Sequence, residues 1–302
     1  VECLVIGGGP AGLAAAVYLA RFRRTVTVVD AGASRAAWIP VSHNILGFPH
    51  GLSGSDLLTR LREQAAEYGA TLVAGEVSGL TQRSDGSFDA ALDGRSINAA
   101  RVLLATGGLD VEPELPGLRD AVARGLVRYC PICDAYEVSG RKVALIAFGK
   151  CRVNEALLLR RYTEHLTVLT LGQDMEISED DEHTLSEAGI KVLRTPVTSL
   201  RVEGDTIAAW HMDDGTQHCF DTIYSALGTR IRSSLATDLG ATADEDGALI
   251  VDRHQQTSVA GLYAAGDVVA GLSQISVASG HAAIAATHLN AGLPFTPART
   301  LD

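Results

Sequence analysis

The sequence predicts an α/β fold made of two three-layer nucleotide-binding domains, the second inserted into the first. Three observations carry that expectation. A glycine-rich turn stands between an apolar strand and an Ala-rich helix at the start, the plan repeats from Arg141 to Gly228, and the remaining stretch looks unfit to fold alone. Residues 1–110 and 231–302 are therefore assigned to one domain and 111–230 to the insert. At 302 residues, 46% hydrophobic and 20% charged, the chain is long enough for two separate cores.

Taken in order, Val1 to Ile6 is a short apolar strand, followed by Gly7-Gly8-Gly9-Pro10-Ala11-Gly12. A helix over Leu13 to Ala20 and a second strand, Val26 to Val29, end at Asp30. This is the Rossmann-like Gly-x-Gly-x-x-Gly unit with an acid about twenty residues on. Gly7 makes the tight turn, Gly9 lets the backbone approach a pyrophosphate at the helix N-terminus, and Gly12 lets helix and strand pack closely. Asp30 is placed to accept a ribose hydroxyl. The bland alternative, a glycine-rich turn with no ligand, does not account for strand, helix, second strand and acid occurring together.

Ser42 to Pro49 reads as a loop. Leu57, Leu61, Ala65 and Tyr68 mark one helix face at spacings of three and four. Thr71 to Leu80 is expected as a strand, turns fall at Asp85-Gly86 and Asp93-Gly94, and Arg101 to Leu104 returns as an apolar strand to Ala105-Thr106-Gly107. In the insert, Val143 to Ile146 and Leu166 to Leu171 are strands about a helix over Asn154 to Arg161, and a second helix ends over Thr184 to Gly189. A meander punctuated at Gly204-Asp205 and Asp214-Gly215 closes with Tyr224-Ser225-Ala226-Leu227-Gly228. The match of that ending to Leu103-Leu104-Ala105-Thr106-Gly107 suggests duplication of one unit. The last part carries a strand over Thr257 to Ala265, then Gly266-Asp267, and Ser273-Gln274-Ile275-Ser276 opening a helix over Val277 to Leu289. A carboxylate at a strand end and backbone donors at a helix start suit hydroxyls and an electron-rich ring edge.

Between the two nucleotide-fold segments lies Tyr129-Cys130-Pro131-Ile132-Cys133-Asp134. Two thiols at this spacing can close a short disulfide ring, and an adjacent acid can move the proton that thiol chemistry requires. Half a zinc site and a merely structural staple are the competing readings. Zinc needs two further ligands, yet there is no second Cys-x-x-Cys, and Cys3, Cys151 and Cys219 are isolated from one another.

Five cysteines are too few for a disulfide scaffold, which fits a reducing, cytoplasmic setting. No basic region precedes the apolar start, so a signal peptide is not expected. The apolar run Val268 to Leu289 carries Gly, Ser, Gln and two His and reads as a buried helix, not a membrane span. A net charge of −11 disfavours nucleic acid and anionic membranes as partners.

The order of these motifs resembles the low-molecular-weight thioredoxin reductases, within the pyridine-nucleotide disulfide oxidoreductases. The resemblance runs from the first glycine-rich turn through Ala105-Thr106-Gly107, the cysteine pair and Ala264-Ala265-Gly266-Asp267 to the final helix. It implies FAD bound by residues 1–110 and 231–302, and an insert of NAD(P)H-binding type carrying the redox pair. It implies Cys133 against the flavin, Cys130 facing the exchanging substrate and Asp134 as acid/base. By the same likeness Gly7, Gly9, Pro10, Ala11, Gly12, Asp30, Asn44, Val77, Ala105, Thr106, Gly107, Gly266, Asp267, Gln274 and Ile275 line the FAD site. A homodimer, and a dithiol or disulfide substrate that is either a thioredoxin-like protein or a small molecule, follow from it too.

The insert departs from the family where a second Gly-x-Gly-x-x-Ala belongs: it reads Ala147-Phe148-Gly149-Lys150-Cys151-Arg152. The turn glycine is Ala147, and Arg152 stands at the close-packing position. The family's His-Arg-Arg run is replaced by Thr170-Leu171-Gly172-Gln173, none of which can fork onto a 2′-phosphate. The acidic run Ser178 to Glu182 reads first as a solvated helix start. These departures predict an FAD-dependent dithiol/disulfide oxidoreductase without efficient NADPH use. It would pass electrons from a dithiol to dioxygen, or reduce a disulfide with another donor. An NADPH-dependent thioredoxin reductase and a non-catalytic flavin redox sensor are the alternatives.

Overall fold

The computed structural model describes residues 1–150, 153–211 and 215–295. Within them the chain forms two compact units: Val1–Ala37, Gly54–Leu109 and Arg230–Asp302 make one, Trp38–Ser53 and Asp110–Thr229 the other. Both are α/β.

In the first unit the parallel sheet runs in the order Leu262–Ala264, Arg101–Leu104, Cys3–Ile6, Val26–Asp30, Thr71–Ala74. Its central strand is apolar throughout because both faces are covered. Cys3 and Val5 pack beneath the helices Pro10–Arg21 and Ile275–Ala291, whose Ala11, Ala15, Ala282 and Ala286 allow a close approach. Leu4 and Ile6, with the fully buried Leu104 on the neighbouring strand, face an antiparallel sheet of Val77–Gln82, Phe88–Leu92 and Arg95–Ala99, where Phe88 is fully buried. Each such side chain contributes about 1.5–3 kcal/mol by leaving water. The lone thiol of Cys3 is part of this core, and burial pushes its pKa up to about 12.

The second unit repeats the arrangement, with its parallel sheet in the order Lys191–Leu193, Leu166–Leu169, Val143–Ile146, Thr222–Ser225, Val127–Arg128. An antiparallel sheet of Val197–Glu203, Thr206–His211 and Gln217–Phe220 stands where the first unit has its own. Leu200, Ile207 and Phe220 from it pack on Ala144 and Ile146, while Val143 and Leu145 face Ala156, Leu159 and Leu185 on the helical side. Four strands of each sheet thus share one order, while the fifth follows the return strand in the first unit and precedes the first strand of the sheet in the second.

Three expectations change in detail. The strand over Thr71 to Leu80 is two strands, broken at Gly75 with φ 149°, where a Cβ would come 2.6 Å from Leu92 Cδ1. The strand expected from Thr257 shrinks to Leu262–Ala264, because the Thr257 N–H and hydroxyl both donate to the Leu262 carbonyl and hold the preceding residues in a turn. Residues 38–53, assigned from sequence to the first domain, pack with the second unit. Trp38 lies against the cluster around Leu115 and Phe220, and the Arg119 guanidinium sits 3.3 Å from the centre of its ring.

Candidate active site and cofactor cradle

The edge strand Val127–Arg128 delivers the chain to the redox pair. Cys130 is extended (φ −137°, ψ 93°) and caps a single helical turn, Pro131–Asp134, with proline at the first position where its missing N–H costs nothing. The turn brings the Cys133 N–H onto the Cys130 carbonyl at 2.9 Å, and the two cysteines are joined in a disulfide with Cα atoms 5.3 Å apart. Ile132 and Tyr136, four residues apart, stand exposed beside it.

Asp134 points inward. Its Oδ2 accepts from Arg128 Nη1 at 2.6 Å and its Oδ1 from the Tyr224 hydroxyl at 2.7 Å. Arg128 and Tyr224 are register partners on adjacent parallel strands, which is why both reach one carboxylate. Burial pushes the Asp134 carboxyl up, against the pull of the Arg128 charge and of both hydrogen bonds. Burial, and then the Asp134 charge, push the Tyr224 hydroxyl up as well, so it remains a donor. Sequence reading found the cysteines and the acid but missed Arg128 and Tyr224. The one available signal was an arginine two residues before Cys130.

The glycine-rich turn of the first unit is required by backbone approach. At Gly7 (φ 113°) a Cβ would lie 2.2 Å from the Ala105 carbonyl oxygen, and at Gly12 it would lie 1.9 Å from the Gly7 oxygen. Gly9 is different: only Ser34 Oγ comes near, at 3.3 Å, leaving its open side free at the start of the helix Pro10–Arg21. That combination fits a pyrophosphate. A Cβ on Gly8 would meet the Asp30 carboxylate at 2.3 Å, which sets the acid beside the same turn. Asp30 accepts from the Gly32 N–H and pairs with Arg62 at 3.3 Å.

Ala105, Thr106 and Gly107 follow the strand Arg101–Leu104, and the Thr106 hydroxyl donates to the Arg232 carbonyl. Gly266 packs on Ala11, and Asp267 pairs with Arg35 at 3.3 Å. Gln274 caps the helix that Ile275 opens, and Val77 is buried in the sheet core. Asn44 lies in the second unit, where its side chain accepts from Ser42. Sequence reading also missed Arg232. Among the described residues its Nε is buried with no hydrogen-bond partner, Nη2 reaches the Ala33 carbonyl at 3.4 Å, and burial pulls its pKa down. A guanidinium so poorly satisfied beside the Ala33–Ser34 loop suits an anionic ligand.

The corresponding turn of the second unit has another form. Ala147 is buried, and Phe148 packs on the core around Ile146. Gly149–Lys150 pairs in parallel with Met175–Glu176, and the Gly149 N–H donates to the Asp174 carbonyl at 2.8 Å. Cys151 and Arg152 lie outside the described residues. Thr170 is wholly buried, Leu171 (φ 55°) packs half-buried against the core, and a Cβ on Gly172 would meet Pro196 at 2.9 Å. Ser178 caps the helix Glu179–Glu187 in a reciprocal box with Asp181, so the acidic run is an exposed helix start.

The family model for pyridine nucleotide-disulphide oxidoreductases matches residues 1–282, and the chain belongs to that family. It is 30% identical over 282 residues to the bifunctional thioredoxin reductase/thioredoxin of Mycobacterium leprae, covering 89% of this chain and 60% of that protein's length. The crystal structure of HlmI superposes with a TM-score of 0.88 at 32% identity, covering 96% of this chain and 92% of that one. Thioredoxin reductase from Streptococcus pyogenes also gives 0.88, at 25% identity, with 95% and 96% covered. The protein is a thioredoxin reductase-like flavoprotein disulfide oxidoreductase with a redox-active cysteine pair. Among the described residues no helix is long and apolar enough to cross a membrane, and no cluster of His, Cys, Asp and Glu could hold a metal.

Proposed function

We propose that the enzyme exchanges electrons between FAD and a dithiol or disulfide substrate through Cys130 and Cys133, without efficient use of NADPH. The first unit takes FAD at Gly7, Gly9, Gly12, Asp30, Ala105, Thr106, Gly107, Gly266 and Asp267. When bound, FAD supplies the two-electron acceptor or donor for the cysteine pair.

In the oxidising direction a substrate thiolate attacks the Cys130 sulfur, the Cys130–Cys133 bond breaks, and Cys133 leaves as a thiolate. The second substrate thiolate attacks the mixed disulfide and releases Cys130. The substrate leaves as a disulfide, the pair has gained two electrons, and Asp134 carries a thiol proton to or from solvent. Dioxygen is the terminal acceptor in this direction. In the reverse direction a donor other than NADPH serves a thioredoxin-like protein or a small disulfide.

The observation that carries the NADPH part is the pairing of Gly149–Lys150 with Met175–Glu176. In a doubly wound domain, phosphates approach the backbone N–H groups after the first strand, and the ribose lies over the loop after the second. Here these two loops bond to each other, and the Gly149 N–H is already used. Leu171, half-buried against the core, stands in the run after the second strand and offers no charge to a 2′-phosphate. Each lost charged hydrogen bond weakens binding by about 1 to 3 kcal/mol, so two such losses amount to about thirtyfold to tens of thousands of times. Calorimetric titration of the holoenzyme with NADPH is expected to give a Kd weaker than about 1 mM. A low-micromolar Kd would remove this part of the proposal.

A further inference from the structure

We propose that Arg128 and Tyr224 are positioning residues for the redox pair, clamping both oxygens of Asp134 so that its proton exchange is governed by the guanidinium. The proposal rests on the reading of Asp134 as proton carrier, and takes that site one layer deeper. Arg128 and Tyr224 meet in register across the strands Val127–Arg128 and Thr222–Ser225, although 96 residues separate them in sequence. From there one donates to Oδ2 at 2.6 Å and the other to Oδ1 at 2.7 Å. The guanidinium is itself held, with Nε donating to the Gly125 carbonyl at 3.2 Å. Neither donor is a loose surface group: Tyr224 is fully buried and the Arg128 side chain is 17% exposed.

A carboxylate oxygen has two acceptor positions, so each oxygen of Asp134 keeps one for a thiol proton while the clamp fixes its direction. Three neighbours bear on its ionisation. Arg128 favours the ionised form, and Tyr224 donates to it. Glu137, on the following turn Ala135–Val138, opposes ionisation, and among the described residues its buried Oε2 has no hydrogen-bond partner. Burial also opposes ionisation, leaving the Arg128 charge to hold the base ready. Without it, the pH at which Asp134 loses its proton must rise. A step that needs the carboxylate then fails on the acid side, first in the variant and only later in the wild type.

The test is the anaerobic stopped-flow rate of flavin reduction by dithiothreitol between pH 6 and 9, taken as the ratio of variant to wild type so that the reagent's own ionisation cancels. For Arg128→Met the ratio is expected to be highest at pH 9 and to fall towards pH 6, because the variant's carboxyl takes up its proton at a higher pH than the wild type's, and a rise of about one in a carboxyl pKa lowers the ionised fraction by up to about tenfold. Arg128→Lys restores the charge and recovers most of the loss. Tyr224→Phe, lacking one hydrogen bond, moves the same way by less. A ratio that is flat with pH in Arg128→Lys and Tyr224→Phe as well as Arg128→Met overturns the proposal, leaving Arg128 a prop for the sheet edge. If Arg128→Met does not fold, the other two variants decide. Asp134→Asn separates the layers: wild-type rates across the range remove the proton-carrier reading itself, whereas a loss there with flat ratios elsewhere removes the clamp alone.

Discussion

Cys133→Ser protein is expected to keep its FAD and to lose dithiol-driven turnover by at least about a thousandfold, the scale set by removing a nucleophile from other catalytic units. Serine is nearly isosteric, and the contact that shapes the turn, Cys133 N–H to the Cys130 carbonyl at 2.9 Å, is a backbone one. The local fold should therefore survive. What disappears is the bond that stores two electrons, because a hydroxyl cannot form the disulfide that joins these residues in the oxidised enzyme. The remaining Cys130 can still form a mixed disulfide with an already oxidised substrate. Turnover measured beside intact-mass spectrometry checks both halves: lost rate together with a substrate-sized adduct. Full activity would remove the redox pair from the mechanism.

Gly12→Ala is expected to yield protein with little or no flavin. The added Cβ would fall 1.9 Å from the Gly7 carbonyl oxygen, backbone against side chain with no flexible partner to yield. The helix Pro10–Arg21 must then move off the strand Cys3–Ile6, opening the turn on which a pyrophosphate would rest. Overpacking of this kind costs about 1–3 kcal/mol. Taken from FAD affinity, that is about a 5- to 150-fold loss. Absorbance at 450 nm relative to 280 nm, read after desalting, measures it, with far-UV circular dichroism confirming that the fold persists. Wild-type flavin content would show that the close packing of Gly12 does not control cofactor binding.

Much of the fold was legible because its determinants are local or periodic. Gly7 and Gly12 are needed by the backbone around them, and the runs at Cys3–Ile6 and Val143–Ile146 announce strands covered on both faces. The cysteine pair and Asp134 are adjacent in sequence, so the disulfide and the acid beside it could be located there without long-range information. Features fixed by distant partners escaped. Trp38 joins the second unit through Arg119 and the core beyond it, which no local pattern reveals. Tyr224 meets Asp134 only once two strands are in register. Substitution at Ala147 and Thr170 suggested a weakened nicotinamide site, whereas the pairing of Gly149–Lys150 with Met175–Glu176 depends on the path of two loops in space.

The central claim, that the cysteine pair and not NADPH exchanges electrons with the flavin, is tested most directly by anaerobic titration of the oxidised flavoprotein. Dithiothreitol, NADPH and NADH are added in parallel while absorbance at 450 nm is followed. The expected result is complete bleaching by about two equivalents of dithiol, one for each two-electron centre, with little change from either nicotinamide at the same concentration. Bleaching by micromolar NADPH at the rate of turnover, with dithiol slow or without effect, would contradict it.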